Sequence, residues 1–362
     1  MIARRSFLRL TAASAFCAAG SNLAPVHSYA DSNNNPESIS STNIPFTAEV
    51  AKTVAENYLC AFSTSHALEP ISSTRLLDTD LNHIGHIVWL SDSGIASGYM
   101  VLDTTSDGLL TDFSFSSNAS PLMSSEPIAS HSSGTTAIKV SPLEYAINVS
   151  DSNYPSLQSD DLDCVCVSES FIRLKCTVNR MNHWQQFIAY DDEAFMAKTN
   201  RYACMVCSFF VCAEELGLFS PGYILPGEFN AIWSATNTEP LPDSEQNIPG
   251  ITQGKTDPQR GTYGFQTYAK AKGKSLNTNY YRTASPTFFS DCIDQGGVAV
   301  AHIRLQNGLR HAVAVEGYVN YTRPDGVGDF ALIVYDAHQT GARYIQFANA
   351  NHIQGIGGSI YW

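Results

Sequence analysis

Between Asn200 and Gly217 the chain reads NRYACMVCSFFVCAEELG, and from Cys204 to Leu216 it is apolar on nearly every helical face. Only Ser208 and the Glu214-Glu215 pair interrupt it. A helix that is hydrophobic all round is a buried helix. The turn-prone run 197–200 leads in, and Gly217 stands where a left-handed residue usually ends a helix. Upstream, Thr47 is a good N-cap, and Val50, Val54, Tyr58 and Leu59 recur at helical spacing. Strand-like runs follow at 84–90, 98–103 and 109–115, bounded by Ser93-Gly94 and Asp107-Gly108. The helix and this meander predict a small α+β unit over 46–120.

Residues 121–162 are poor in charge and rich in Ser, Pro and Asn, which reads as a connector. Its one helical hint lies at 142–146, and 163–179 reads as a strand. From Trp184 onward the pattern is helix-rich first. The apolar helix is followed by a short helical run at 229–235 and a long polar loop at 236–261. Further helices are predicted over 263–272, ending at Gly273, and from the Ser285-Pro286 start to Asp294. Strands are then expected at 298–305 and 311–319, joined by a turn at Asn307-Gly308, and at 330–336, 343–347 and 358–361. The order predicts an α+β domain over 163–362, with helices first and an antiparallel sheet last.

The ends of the pattern carry other information. Arg4-Arg5 precedes a weakly hydrophobic run at 10–20 and small residues ending in Ser28-Tyr29-Ala30. This reads as a twin-arginine export signal over 1–30, followed by a linker over 31–45. The expected location is therefore extracytoplasmic, secreted or at the cell surface. No other run is long enough to span a membrane, so no integral segment is expected in the mature chain. The balance of 21 basic against 34 acidic residues, a net charge of −13, argues against nucleic acid or an anionic membrane as partner. Of nine cysteines, Cys17 falls in the signal. The spacing of Cys204, Cys207 and Cys212 on one helix suits buried thiols plus one reactive thiol better than a disulfide framework. Cys204-Met205-Val206-Cys207 is formally a CxxC, but no second CxxC or histidine pair completes a zinc site, so no metal and no organic cofactor is expected.

A cysteine in the first turn of a helix sits where main-chain N–H groups and the helix dipole favour a thiolate. Cys204 holds that position, and Cys207, one turn on, is its rival. A base is available downstream. His311 opens a strand, and Asp336 ends the next one. Adjacent antiparallel strands would bring them together, so that the carboxylate orients the imidazole. His302, inside a strand, and His338, on a loop, are weaker candidates for the base.

The runs Cys204 to Gly217, His311-Ala312-Val313-Ala314-Val315-Glu316-Gly317-Tyr318 and Val334-Tyr335-Asp336-Ala337 resemble the nucleophile, histidine and aspartate motifs of papain-like cysteine peptidases of the bacteriocin-processing-peptidase-like group. Ser208, four residues after Cys204, and Gly217, thirteen after it, fit that spacing. The resemblance implies a papain-like fold, a catalytic triad of Cys204, His311 and Asp336, and a peptide or protein substrate. A peptidoglycan stem-peptide endopeptidase and a non-catalytic binding protein on the same fold are the alternatives. Met205-Val206 departs from the usual Gly-Pro, and Lys198 stands where the oxyanion-hole glutamine belongs. Asn200 is the candidate replacement, with Gln185 and Gln186 more distant. Gly98 to Asp103 and Asp112 to Ser116 resemble a streptopain-like pro-region. That implies a zymogen whose amino-terminal unit packs on the cleft or assists folding.

Overall fold

The computed structural model describes residues 42–62, 68–117, 119–122, 136–141, 143–148, 165–183, 190–305, 310–338, 341–347 and 353–362. The expected signal, most of the linker, Cys17, Cys164, Trp184, Gln185, Gln186 and the Asn307-Gly308 turn lie outside the described residues. The chain is mixed α+β.

The amino-terminal part comprises β1 (Asn43–Pro45), α1 (Ala48–Phe62), β2 (Leu68–Leu77), β3 (His83–Asp92), β4 (Ile95–Asp103) and β5 (Leu110–Ser114). A hairpin follows, β6 (Thr136–Ser141) and β7 (Glu144–Asn148). Next come β8 (Cys166–Ser168), α2 (Ser170–Arg173), β9 (Thr177–His183), α3 (Asp192–Thr199), β10 (Arg201–Tyr202), α4 (Cys204–Glu215) and α5 (Pro226–Ala235). Then follow β11 (Glu239–Pro240), β12 (Thr252–Lys255), α6 (Pro258–Ala271), β13 (Thr278–Tyr281) and α7 (Pro286–Asp294). The last strands are β14 (Val298–Leu305), β15 (Arg310–Thr322), β16 (Gly328–Tyr335), β17 (Arg343–Gln346) and β18 (Ile353–Tyr361).

Local chemistry explains the helix ends. The Thr47 hydroxyl accepts from the Val50 amide at 3.3 Å. Ser285 caps α7 by accepting from Phe288, with Pro286 in the first turn. Gly217, at φ +66, closes α4 in a Schellman motif: Leu218 donates to the Ala213 carbonyl and Gly217 to that of Glu214, both at 2.9 Å.

Several segments differ from the sequence reading. The expected connector holds β6 and β7, and its helical hint is strand β7, because Tyr145 is fully buried against the sheet. The run 163–179 is not one strand but β8, α2 and the start of β9. The end of the expected linker forms β1, paired with β8. Strand β2 was not anticipated, since its Pro70 and serines hide a pairing that β3 supplies. The long loop carries β11, β12 and the first turn of α6. It is stitched by Gln246 and Gln253, each of whose side chains accepts an amide of the loop at 2.7–2.8 Å.

One sheet spans both expected units. Among the described residues its order is β13-β18-β14-β15-β16-β17-β5-β4-β3-β2-β6-β7, with β9 pairing to β15 off this path. The pairing of β17 with β5, Tyr344 opposite Phe113 and Ile345 opposite Asp112, is the junction. Alternation along β14 and β15 sorts the core. Val298, Val300, Ala312 and Ala314 pack with α4, while Ala299, Ala301, Val313 and Val315 pack with α7. Buried side chains such as Phe209 and Phe210 of α4 contribute roughly 1.5–3 kcal/mol each. That packing fixes the first turn of α4 over the start of β15.

Candidate active site

The segment entering α4 is held on both sides. Helix α3 begins at Asp191, whose side chain accepts from the Ala194 amide, and ends at Asn200 in the left-handed conformation, φ 54. Strand β10 then pairs in parallel with β12. Ala203 is the N-cap and offers no capping side chain, so Cys204 is the first helical residue. The main-chain amides of Ala312, Met205 and Cys204 all act on the Cys204 thiol in the sense that favours a thiolate. Burial outweighs them and holds the thiol above its ordinary value. Ser208 fixes this contact, its hydroxyl lying 3.0 Å from both the Cys204 and the Ala312 carbonyl. Cys207 is fully buried, and burial pushes its thiol well up. The thiols of Cys60 and Cys166 are exposed.

His311 adjoins Ala312 at the start of β15, so the residue next to the imidazole is the one facing the thiol. Its ring N–H donates to the main-chain carbonyl of Asp336, and its Nε2 is buried without a hydrogen-bond partner. No hydrogen bond joins this ring to the Cys204 thiol in the observed arrangement. Burial, reinforced by the neighbouring His338, lowers the His311 pKa to about 3, so the ring is a neutral base.

Strands β15 and β16 pair as expected, with Ala314 opposite Tyr335. Asp336 therefore reaches His311, but through its carbonyl. Its carboxylate is occupied elsewhere: Oδ2 accepts from Arg343 Nη1 at 2.8 Å and Oδ1 from the His338 amide at 3.1 Å. Burial opposes this charge, and Arg343 overcomes the cost and holds the carboxyl below its usual range. The expectation that the Asp336 carboxylate itself orients the imidazole is thus replaced by orientation from its main chain.

The turn after β16 adds a second imidazole. Ala337 is left-handed, φ 65, and its carbonyl accepts from the Asp192 amide at 2.8 Å. His338 stacks on His311, with ring centroids 4.9 Å apart and planes 15° apart. Its Nδ1 pairs with Asp192 Oδ2 at 3.0 Å. Burial alone would lower its pKa, but the bond to Asp192 prevails and raises it to about 9. Asp192 Oδ1 is a second buried atom with no partner. Unpaired buried polar atoms of this kind mark places where a ligand or water completes the bonding.

The other candidates fall outside this cluster. His302 bonds Ser359 at 2.6 Å within the core, and burial lowers its pKa to about 3. Asn200 is an exposed residue whose left-handed backbone explains its identity. Its carbonyl accepts from Thr252 at 2.9 Å. Sequence reasoning missed Asp192, Arg343 and the stacking role of His338. A signal did exist for two of them. Asp191-Asp192 is a helix start, and Arg343 is the one charged residue of the strand run 343–347.

Among the described residues no group of three His, Cys, Asp or Glu side chains is disposed to hold a metal ion. None of the described helices is long and apolar enough to cross a membrane. Compared with known proteins, the chain matches no family model and no curated sequence.

Proposed function

We propose that this protein is an exported cysteine peptidase of papain-like architecture. Cys204 is the nucleophile, His311 the general base and acid, and Asp336 the residue that orients His311. One observation carries the reading: a buried, unpartnered His311 Nε2 in the residue adjoining the amide that faces the Cys204 thiol. With the ring N–H committed to Asp336, Nε2 bears the lone pair that accepts a proton. Catalytic hydrogen bonds are often long before substrate binds and tighten afterwards. The buried cysteine helix packed on an antiparallel sheet that carries His311 and Asp336 supports the papain-like layout.

The chemistry is acyl transfer. The Cys204 proton passes to His311 Nε2, and the thiolate attacks an amide carbonyl. The Cys204 main-chain amide, free of a helical partner at the start of α4, stabilises the oxyanion. Collapse expels the amine, which takes the proton from His311. Water then attacks the thioester with His311 again as base, releasing the acid and restoring the thiol.

Iodoacetamide labelling with peptide mapping tests this, followed by hydrolysis assays on casein and on purified peptidoglycan. Alkylation of Cys204 should depend on His311 and be lost in His311→Ala, whereas labelling of the exposed Cys60 and Cys166 should not respond to that change. Hydrolysis of casein supports a peptidase, and hydrolysis of peptidoglycan alone supports the wall-directed alternative. Labelling of Cys204 that does not depend on His311, with neither substrate cleaved by folded protein, would sink the catalytic reading.

A further inference from the structure

We infer that the amino-terminal unit is a permanent part of the candidate site, with Asp112 acting through Arg343 as a positioning residue for Asp336. This rests on the role given to Asp336 above, and it gives the expected packing of the amino-terminal unit on the cleft a lasting structural role.

The Arg343 guanidinium is buried between two carboxylates from different parts of the chain. Its Nη1 donates to Asp336 Oδ2 at 2.8 Å. Its Nε and Nη2 donate to Asp112 Oδ1 at 3.2 and 3.0 Å. Nη2 also donates to the Leu143 carbonyl at 2.8 Å. The other oxygen of Asp112 accepts from the Tyr145 hydroxyl at 2.5 Å. The side chains of Arg343, Asp112 and Asp336 are 3%, 0% and 0% exposed. Solvent therefore screens none of these contacts, and the planar fork fixes their geometry.

Two of the three partners of Arg343, Asp112 and Leu143, lie within 110–148, as does Tyr145, which holds Asp112. Removing that stretch would strip the guanidinium of one carboxylate and a carbonyl. An unpaired buried charge is costly, so Arg343 would rearrange, and the Asp336 carboxylate with it. Asp336 also supplies the carbonyl that holds the His311 ring. The same removal would bare the edge of β17, since Phe113 pairs with Tyr344 and stacks on it at 4.4 Å. Ser114 Oγ, which donates to the Ala342 carbonyl at 2.7 Å, would go with it. An unpaired, apolar strand edge is an aggregation hazard. A segment built in this way is a wall of the site and not a removable cover.

The test uses the full chain and has two arms. In the first, active material is labelled at Cys204, separated by native size exclusion and mapped by peptide mass. Peptides from 42–148 should co-elute with labelled Cys204 whether or not the chain has been cut between the two parts. Fully active, labelled protein lacking 42–148 overturns the inference. In the second arm, Asp112→Asn is compared with Ser114→Ala, which weakens the same junction without touching Arg343. Asp112→Asn should lower kcat by roughly ten- to hundredfold, the scale on which small misplacements of catalytic groups act. KM should change little, and the pH profile of Cys204 alkylation should shift. Ser114→Ala should lower the melting temperature and leave that profile in place, and Asp112→Glu should restore part of kcat. Folded Asp112→Asn with wild-type kcat and profile overturns the positioning role. If wild-type protein shows neither labelling nor hydrolysis, the catalytic reading fails, and co-elution alone then decides whether the unit is permanent.

Discussion

At the scale of residues, the site is set by what is left unpaired. His311 stays neutral because burial removes water from the ring and His338 stands beside it as a cation. His338→Gln removes that cation, so the His311 pKa should rise toward the ordinary 6.5. The acid limb of kcat/KM should move to higher pH with it, and a limb that stays in place would deny the coupling. Ala337 holds a left-handed backbone between Asp336 and His338. Such strain costs roughly 1–2 kcal/mol in a residue with a Cβ. Ala337→Gly should therefore raise or preserve stability in urea while lowering turnover, since the turn that spaces the two side chains becomes looser. Little of this was readable in advance. Cys204, His311 and Asp336 stood out by residue type and order. That Asp336 would meet Arg343 with its carboxylate and His311 with its carbonyl depends on side-chain directions that spacing does not encode.

At the scale of elements, α4 was the clearest signal, because apolar residues on every face leave a helix only the interior. Its stop was equally plain. Gly217→Ala should cost about 1 kcal/mol, since the Cβ meets open space and only the left-handed backbone objects. The neighbouring α6 was less legible. A Cβ at Gly264 would lie 2.2 Å from the Ala235 carbonyl oxygen and 2.6 Å from Thr236 Cα, a close approach that no local pattern shows. Backbone cannot step aside as a flexible side chain can. Gly264→Ala should lower stability by at least about 2 kcal/mol, seen as an earlier urea midpoint at unchanged slope. Helix α3 and strands β2, β6 and β7 were missed for a shared reason. Their sequences are short or polar, and partners distant in the chain help to hold them: β6 pairs with β2, Tyr145 of β7 donates to Asp112, and the Asp192 amide at the start of α3 donates to the Ala337 carbonyl.

At the scale of the whole molecule, one sheet carries charge and titratable groups through the core. His86 and His302 are 5% and 6% exposed, and burial lowers their pKa values to about 4 and about 3. The unfolded chain binds protons at these rings near 6.5, so their contribution to stability is complete above that value. It is lost as pH falls from about 6.5 toward 4. His311, held at about 3 by burial, acts in the same sense, so with three protons taken up on unfolding the slope approaches about 4 kcal/mol per pH unit. Urea titrations across that range should show it, and a His86→Gln, His302→Gln double variant should keep only about a third of it, the part due to His311. His338 acts in the opposite sense. Its raised pKa gives stability present below about 6.5 and lost as pH rises through about 9. Its side chain is 38% exposed, so solvent screens the pair and the alkaline loss should be the smaller of the two.

Taken alone, the sequence determined the mixed α+β class, the buried cysteine helix with both its ends, and the order of thiol, imidazole and carboxylate. Those features follow from local rules: periodicity, capping, and the residue types that a nucleophile and its base require. Tertiary structure decided which atoms meet. It joined β17 to β5, set Arg343 between Asp112 and Asp336, and stacked His338 on His311 with Asp192 behind it. Those contacts link positions up to 231 residues apart. A buried charge finds its partner through the register of a completed sheet, and no local pattern carries that information.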